Sequence, residues 1–484
     1  LKFCADELAP PLVAIFNKSF KEGKFPSKLK ISKVFPKLKS GCKHDANNYR
    51  PISLISTFSK LCERIVLQRL LDHCAQHNIL NENQHGFTKG KSTTTALIKL
   101  IELVTDSIEE GKLTTALFLD LSKVFDCLSH NIILKKLELL GIKGSANNWF
   151  ESYLKGRTQI VELYHSSNGI TKAVRSKVLP VLRGVTQGSV LGPVIFILFT
   201  NDLPQHLGDF CTPLMYADDT TLFLNQSSSD GLAVSSYTAL NMAIQYCYGN
   251  DLVVNPAKTN QIAFGRRAPE VPTIPDVSIE ANLKFLGVTI DTELNWINHV
   301  ENLCKKLNTG HFVIKQILSL SSLETAKITY FSLFESHLRY GLAAWGGTTA
   351  SNLQRVLIIQ KRCIRTLAGL QPLESCREAF KSLRILTVIS LYIQEVIVYA
   401  DGENLPRIND VHHYNTRNVH LYSLPAHRLR LYERKPSYMG MKLHNLLPPH
   451  LLSKRGKDLK MALHRWLLDR PFYTLEEYFQ KTFS

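Results

Sequence analysis

Apolar residues recur at helical spacing through much of this chain. Over 1–24, Leu8, Leu12, Ile15, Phe16 and Phe20 fall on one helical face, and Gly23 ends the run. Leu61, Ile65, Leu70 and Leu71 do the same over 58–76. Helices are also expected over 92–110, over 129–140 with Gly141 as the stop, and over 146–154 ahead of Gly156. The pattern changes at 113–121, where alternation and β-branched or aromatic residues predict a strand ending near Asp120. Strands are expected at 159–163 and 171–179, and a Gly-punctuated turn at 184–192 opens a helix through Phe199. Two short apolar runs, Pro213-Leu214-Met215 and Leu222-Phe223-Leu224, flank Tyr216-Ala217-Asp218-Asp219, which places two carboxylates at a hairpin tip. A helix over 232–248, strands at 252–264 and 282–290, and a nearly all-helical stretch over 299–400 follow. From Asp401 the chain is Pro-broken and basic, with interleaved His and Tyr (His412, His413, Tyr414, Arg417, His420, Tyr422).

Composition narrows the function classes. The 484 residues suffice for about three domains, and 44% hydrophobic content is ordinary for packed cores. The formal net charge of +17 points to a polyanionic partner, most commonly nucleic acid. A membrane surface is the competing anion, but no polybasic segment adjoins an amphipathic helix. The longest apolar run, around Val194 to Phe199, falls far short of the ~20 residues that span a bilayer. With no signal peptide at the start, an intracellular protein of the nucleus or cytoplasm is expected. The chain opens on Leu1 rather than Met, as a fragment of a longer protein would. Its ten Cys are scattered without CxxC or zinc spacing, which suits reduced thiols.

The paired aspartates carry the chemistry. Adjacent like charges in a tight turn repel, and a divalent cation removes that cost because Mg²⁺ takes hard oxygen ligands. A solvated turn using Asp for local hydrogen bonds is the plain alternative. Asp120 changes the balance. It closes the apolar strand Thr115–Leu119, and the long connection to Asp218 lets that strand lie beside the hairpin in one antiparallel sheet. Three carboxylates on one sheet surface would hold two Mg²⁺ ions about 4 Å apart, the clamp for in-line displacement at phosphorus.

Seven motifs in order extend this reading. They are Asn48–Leu54 (NYRPISL), Asn83–Phe87 (NQHGF) with Lys91-Ser92-Thr93, Leu119–Asp126 (LDLSKVFD), Gly184–Ser189 (GVTQGS) through Gly192-Pro193, Tyr216–Asp219 (YADD), Asn255–Thr259 (NPAKT) and Leu283–Gly287 (LKFLG). Together they resemble the reverse transcriptases of non-LTR (LINE-type) retrotransposons of the jockey group, over about residues 30–300. The resemblance implies an α+β right-hand polymerase with fingers, a palm built on an antiparallel sheet, a helical thumb and a basic C-terminal extension. The expected segments are an N-terminal helical remnant (1–24), fingers (25–114, with contributions from 141–183), palm (115–295), thumb (296–400) and tail (401–484). An endonuclease that precedes the polymerase in full-length relatives has no counterpart here.

Residue roles follow from the same resemblance. Asp120 and Asp218 would be the main metal ligands, with Asp219 assisting, for two Mg²⁺ ions or Mn²⁺ in their place. Leu121 and Ser122 would offer backbone N–H groups to the incoming triphosphate. Phe125 matches a steric gate against the ribose 2′-OH; a plain core aromatic is the alternative. Arg50 with Lys37 or Lys39 would contact phosphates, Arg as a bidentate fork and Lys as a point charge. Gln187 and Gly188 would meet nucleotide or template. Lys258 would protonate departing pyrophosphate, against the reading of a solvated lysine. Leu286 and Gly287 resemble a primer-grip hairpin. Asp126 reads as a helix cap or salt-bridge partner, and His85 and Gly86 as shaping the path between fingers and template. Thr186 and Val124 depart mildly from the usual Pro and Ala.

Further on, Phe334–Gly341 with Trp345-Gly346, and His413–Asn418, resemble post-polymerase segments of the family. The implied partners are an RNA template, a DNA primer or target, dNTPs, and the element RNA with its nucleic-acid-binding protein; no membrane is expected. The leading function is RNA-directed DNA polymerase. The alternatives are a decayed nucleic-acid-binding remnant and an RNA-templated RNA polymerase.

Overall fold

The computed structural model describes residues 3–121, 124–167, 169–255, 258–411 and 420–481. Ser122 and His412–Asn418 therefore lie outside the described residues. The chain divides into two units. The first comprises 1–91, 117–222 and 235–259, and the second 92–116, 223–234 and 260–484.

In the first unit a five-stranded sheet joins distant segments. Its strands are β1 (Ile31–Leu38), β2 (Tyr49–Leu54), and, after β3 (Leu113–Leu119) of another sheet, β4 (Arg157–Ser167), β5 (Ile170–Arg175) and β6 (Leu179–Val181). The order is β2-β1-β4-β5, with β6 also on β4. β1 and β2 are antiparallel with Lys37 opposite Arg50, whereas β1 and β4 run parallel. Helix Ala5–Glu22 ends at Gly23 in the left-handed conformation, and Gly23 and Lys24 N–H groups satisfy the last carbonyls. Trp149 anchors the packing nearby. It stacks on Tyr153 at 5.5 Å and meets Phe25 edge-on at 5.5 Å. Helix Gly192–Phe199 is apolar all round and buries Val194 through Phe199, as such a sequence must.

A second five-stranded sheet carries the aspartates. It adds β7 (Thr212–Tyr216), β8 (Asp219–Gln226), β9 (Asn260–Phe264) and β10 (Ser278–Ile279) to β3, in the order β10-β9-β3-β8-β7. Strands β3 and β8 each pass from one unit into the other. All seven β3 residues are buried, which is why its sequence is nearly continuously apolar. The expected placement of the Asp120 strand beside the Asp218 hairpin is what the strand order gives.

The second unit is mainly helical. Helix Thr93–Glu109 starts with a capping box between Ser92 and Thr95. Helices Ile297–Leu320, Ala350–Ala368 and Val388–Gly402 form its bulk, with Trp345, Tyr330, Tyr392 and Phe380 fully buried among its residues. The buried Gln360 amide is satisfied at both ends, donating to Tyr330 Oη at 2.9 Å and accepting from Val388 N–H at 2.8 Å.

One strand expectation needs correction. Only Asn260–Phe264 of the 252–264 run is a strand; ahead of it Val254 makes a single antiparallel bridge to Leu121, with the Asn255 N–H donating to the Asp120 carbonyl at 2.8 Å. The 282–290 run is a hairpin, β11 (Asn282–Phe285) and β12 (Val288–Asp291), turned by Leu286 and Gly287 at positive φ.

Candidate active site

The Asp218 hairpin is tighter than its residues prefer. β7 ends at Tyr216 and β8 begins at Asp219, so Ala217 and Asp218 alone make the turn. Two-residue hairpins need positive φ, usually from Gly or Asn. Here Ala217 takes φ 55°, at a cost of order 1–3 kcal/mol. The compensation comes from Asn83–Gly86. Met215 N–H donates to Asn83 O at 2.9 Å, and His85 N–H to Met215 O at 2.8 Å. The Gln84 side-chain oxygen then accepts from Gly86 N–H at 2.7 Å and from Ala217 N–H at 3.0 Å. A Cβ on Gly86 would stand 2.4 Å from the Ala217 nitrogen, so only glycine permits this approach. His85 and Gly86 thus back the aspartate turn.

Asp120 is held from the other side. Besides the Asn255 N–H on its carbonyl, Lys258 Nζ lies 3.3 Å from Asp120 Oδ2. Leu121 is buried and bridges antiparallel to Val254. Asp120, Asp218, Asp219 and Lys258 all belong to the first unit.

The carboxylates feel one another. Partial removal from water lifts the Asp218 pKa, and the charge of Asp120 adds to the rise; its own backbone N–H, Arg50 and Lys39 pull it back. Asp219 is pushed up to about 6 by the same desolvation, then by Asp218 and Asp120. Lys37 and Arg50 are opposite one another on the β1–β2 ladder, and Lys39 follows two residues on, so the three cations share one face of that hairpin. Among the described residues, no three His, Cys, Asp or Glu side chains are drawn together at ligand spacing. The three aspartates meet through their fields. Their donor set is all carboxylate oxygen, and burial, with neighbouring carboxylate charge added to it, raises two of the three, so these residues fit a hard divalent cation.

The remaining site residues are placed as follows. Phe125 is half-buried, its ring tilted against Phe196 at 5.2 Å. Gln187 does not project freely: its amide donates to both Asp126 oxygens at 3.2 and 3.1 Å. Asp126, expected as a cap or ion-pair partner, accepts this bond. Gly188 has φ 111°, and a Cβ there would meet Ser53 O at 2.6 Å. Ser53 N–H in turn donates to Gln187 O at 2.7 Å, which stitches the turn to the end of β2. Leu286 and Gly287 lie in the second unit, where Tyr340 Oη donates to the Leu286 carbonyl at 2.6 Å.

Two supports escaped the sequence reading. Glu63, fully buried, accepts from Ser59 Oγ at 2.9 Å, Val190 N–H at 2.7 Å and Leu191 N–H at 3.3 Å. It serves the turn ahead of helix Gly192–Phe199, whose own N-cap supplies no side chain. Gln84 is the other. The only sequence signal for Glu63 is a charge on the inward side of an amphipathic helix, and for Gln84 its place inside NQHGF.

Comparison with known proteins agrees with this geometry. The model of the reverse transcriptase (RNA-dependent DNA polymerase) family matches residues 39–290. The probable RNA-directed DNA polymerase from transposon BS of Drosophila melanogaster is 27% identical over 441 residues, covering 88% of this chain and 47% of that protein. The RNA-directed DNA polymerase from mobile element jockey of the same species is 26% identical over 407 residues, 80% of this chain and 43% of the other. The probable enzyme from transposon X-element is 26% identical over 392 residues, with 78% and 42% covered. The chain spans about half the length of the curated relatives it matches. With a family match over half of its residues, and an aspartate hairpin set beside the strand of a third aspartate, this chain belongs to the reverse transcriptase family.

Proposed function

We propose that this chain is an RNA-directed DNA polymerase that extends a DNA primer on an RNA template with dNTPs. The observation that carries the reading is that Asp120, at the end of β3, acts by its charge on Asp218 and Asp219 at the tip of the β7–β8 hairpin, where burial already raises both carboxyls. These three side chains would hold a divalent cation, Mg²⁺ or Mn²⁺. When bound, such an ion supplies Lewis-acid stabilisation of charge on phosphoryl oxygens.

The chain's own residues do the rest. Arg50 and Lys39, already felt by Asp218, receive the triphosphate. In the reaction the primer 3′-oxygen bonds to the α-phosphorus and pyrophosphate leaves, so catalysis is largely positioning and electrostatics. Lys258 orients Asp120 and supplies the proton that pyrophosphate takes up. Phe125, braced by Phe196, closes the space a 2′-OH would need. Gln187, tied to Asp126, sets the Gly188 turn beside β2 rather than contacting base directly. Leu286 and Gly287, their turn locked by Tyr340, receive the primer strand.

The test offers poly(rA)/oligo(dT) with Mg²⁺ and either dTTP or UTP. Incorporation of dTTP over UTP supports the proposal. Preference for UTP would instead make the chain an RNA polymerase. Absence of incorporation, with salt-sensitive RNA binding retained, would make it a remnant.

A further inference from the structure

We propose that a cationic cavity in the second unit, outside the aspartate site, binds phosphodiester groups of single-stranded RNA. The cavity has a volume of about 460 Å³, the size of a small-ligand pocket. Lys112, Arg266, Arg267, Arg430 and Arg434 line it, against one lining carboxylate, Glu293. All six belong to the second unit.

The pairing of these cations separates frame from ligand groups. Arg267 is engaged: it forks onto Glu270, with Nη2 at 2.7 Å, and donates to Gly111 O at 2.9 Å. Lys112 is paired with Glu110 at 2.7 Å. Among the described residues, Arg266, Arg430 and Arg434 have no carboxylate within ion-pair distance. Three guanidinium groups around one concavity repel each other, and folding alone gives no reason to gather them. An anion offering several oxygens supplies that reason, because a guanidinium fork matches phosphate geometry bidentately.

A polymer fits better than a single anion. Arg430 and Arg434 also border a second cavity of about 430 Å³, lined besides by Thr348, Thr349, Gln354 and two carboxylates, Glu433 and Glu476, the first of them paired with Lys442 at 3.2 Å. The same two arginines therefore line both cavities, and successive phosphates of one strand can be held on either side of them. A chain of net charge +17 adds the long-range attraction that brings such a strand in. The first cavity takes backbone rather than bases: its lining aromatic, Phe264, is fully buried and offers no stacking face.

The test is equilibrium binding of a single-stranded RNA oligonucleotide to the full chain, without primer or dNTP, over a salt series. Each neutralised phosphate contributes a slope of roughly 0.7 in log K against log salt for single strands. The triple variant R266Q/R430Q/R434Q should lower that slope by about 2 and weaken binding on the order of tenfold or more at physiological salt. A charge-matched control, K18Q/K21Q/K28Q in the first unit, should lose much less. Incorporation of dTTP is measured beside RNA binding on the same proteins, so failure of the polymerase reading and failure of this one are distinguishable. Arg430 is exposed, and R430Q alone should fold and lower the slope by about 0.7 even if the triple variant does not fold. Unchanged slopes, or an equal loss in the control, would overturn the proposal. So would loss of binding to anionic phosphatidylserine vesicles with RNA binding intact, which would assign the cavity to a membrane surface.

Discussion

The side-chain oxygen of Gln84 accepts the backbone N–H of Ala217 at 3.0 Å, one residue before Asp218. That bond holds a non-glycine residue at φ 55°. Replacing Gln84 with Ala leaves the Ala217 and Gly86 amides without their acceptor, at about 1–3 kcal/mol each. It also frees the turn that aims Asp218. Misplacement of about 1 Å costs on the order of 10²-fold in rate. The prediction is a fall in kcat of that order in primer extension, with nucleotide KM changed far less.

Glu63 is a second remote support, and its variants separate charge from geometry. Glu63→Ala strands the Val190 and Leu191 amides, with an expected loss of about 3 kcal/mol in urea unfolding. Glu63→Gln keeps an acceptor and should lose less than half of that. Equal losses would show that the amides do not depend on this acceptor.

Phe125 tests nucleotide choice. Phe125→Ala removes the ring that packs on Phe196 and should raise the efficiency of rNTP use relative to dNTP at least tenfold, an effect of about 1.4 kcal/mol. Single-nucleotide incorporation kinetics read it directly. Unchanged discrimination would leave Phe125 as packing only.

His299 gives an acid dependence. It is buried between Trp296 and Trp345, and desolvation, followed by the charge of Lys306, lowers its pKa to about 4. The unfolded chain binds this proton near pH 6.5 and the folded chain does not. Stability is therefore full above pH 6.5 and is lost as pH falls from 6.5 towards 4, by about 3 kcal/mol over that window. Melting temperatures of the parent and of His299→Gln, compared between pH 7 and 4, should converge as the pH falls.

The legible parts of this molecule are those where local pattern and local chemistry coincide. The Asp218 hairpin follows from two short apolar runs, and the Asp120 strand from its continuous apolar character, so both could be read from residue order. The Gly23 helix stop and the Ser92 helix start were equally local. Contacts across long separations were not legible. Nothing near Glu63 in the chain says that it reaches the amides at 190 and 191, and nothing near Leu286 says that Tyr340 locks its carbonyl. Gln187 illustrates the same limit in a site residue: nothing in its motif says that its amide donates to Asp126. The hairpin at Leu286 and Gly287 was legible through its motif, and Leu286 there adopts a positive φ that its type rarely takes.

The most direct measurement is extension of oligo(dT) on poly(rA) with dTTP and Mg²⁺ by the parent chain and by Asp218→Ala, with both proteins shown to be equally folded. The account predicts RNA-templated DNA synthesis by the parent and synthesis at the protein-free background by the variant. Equal synthesis by both would contradict it.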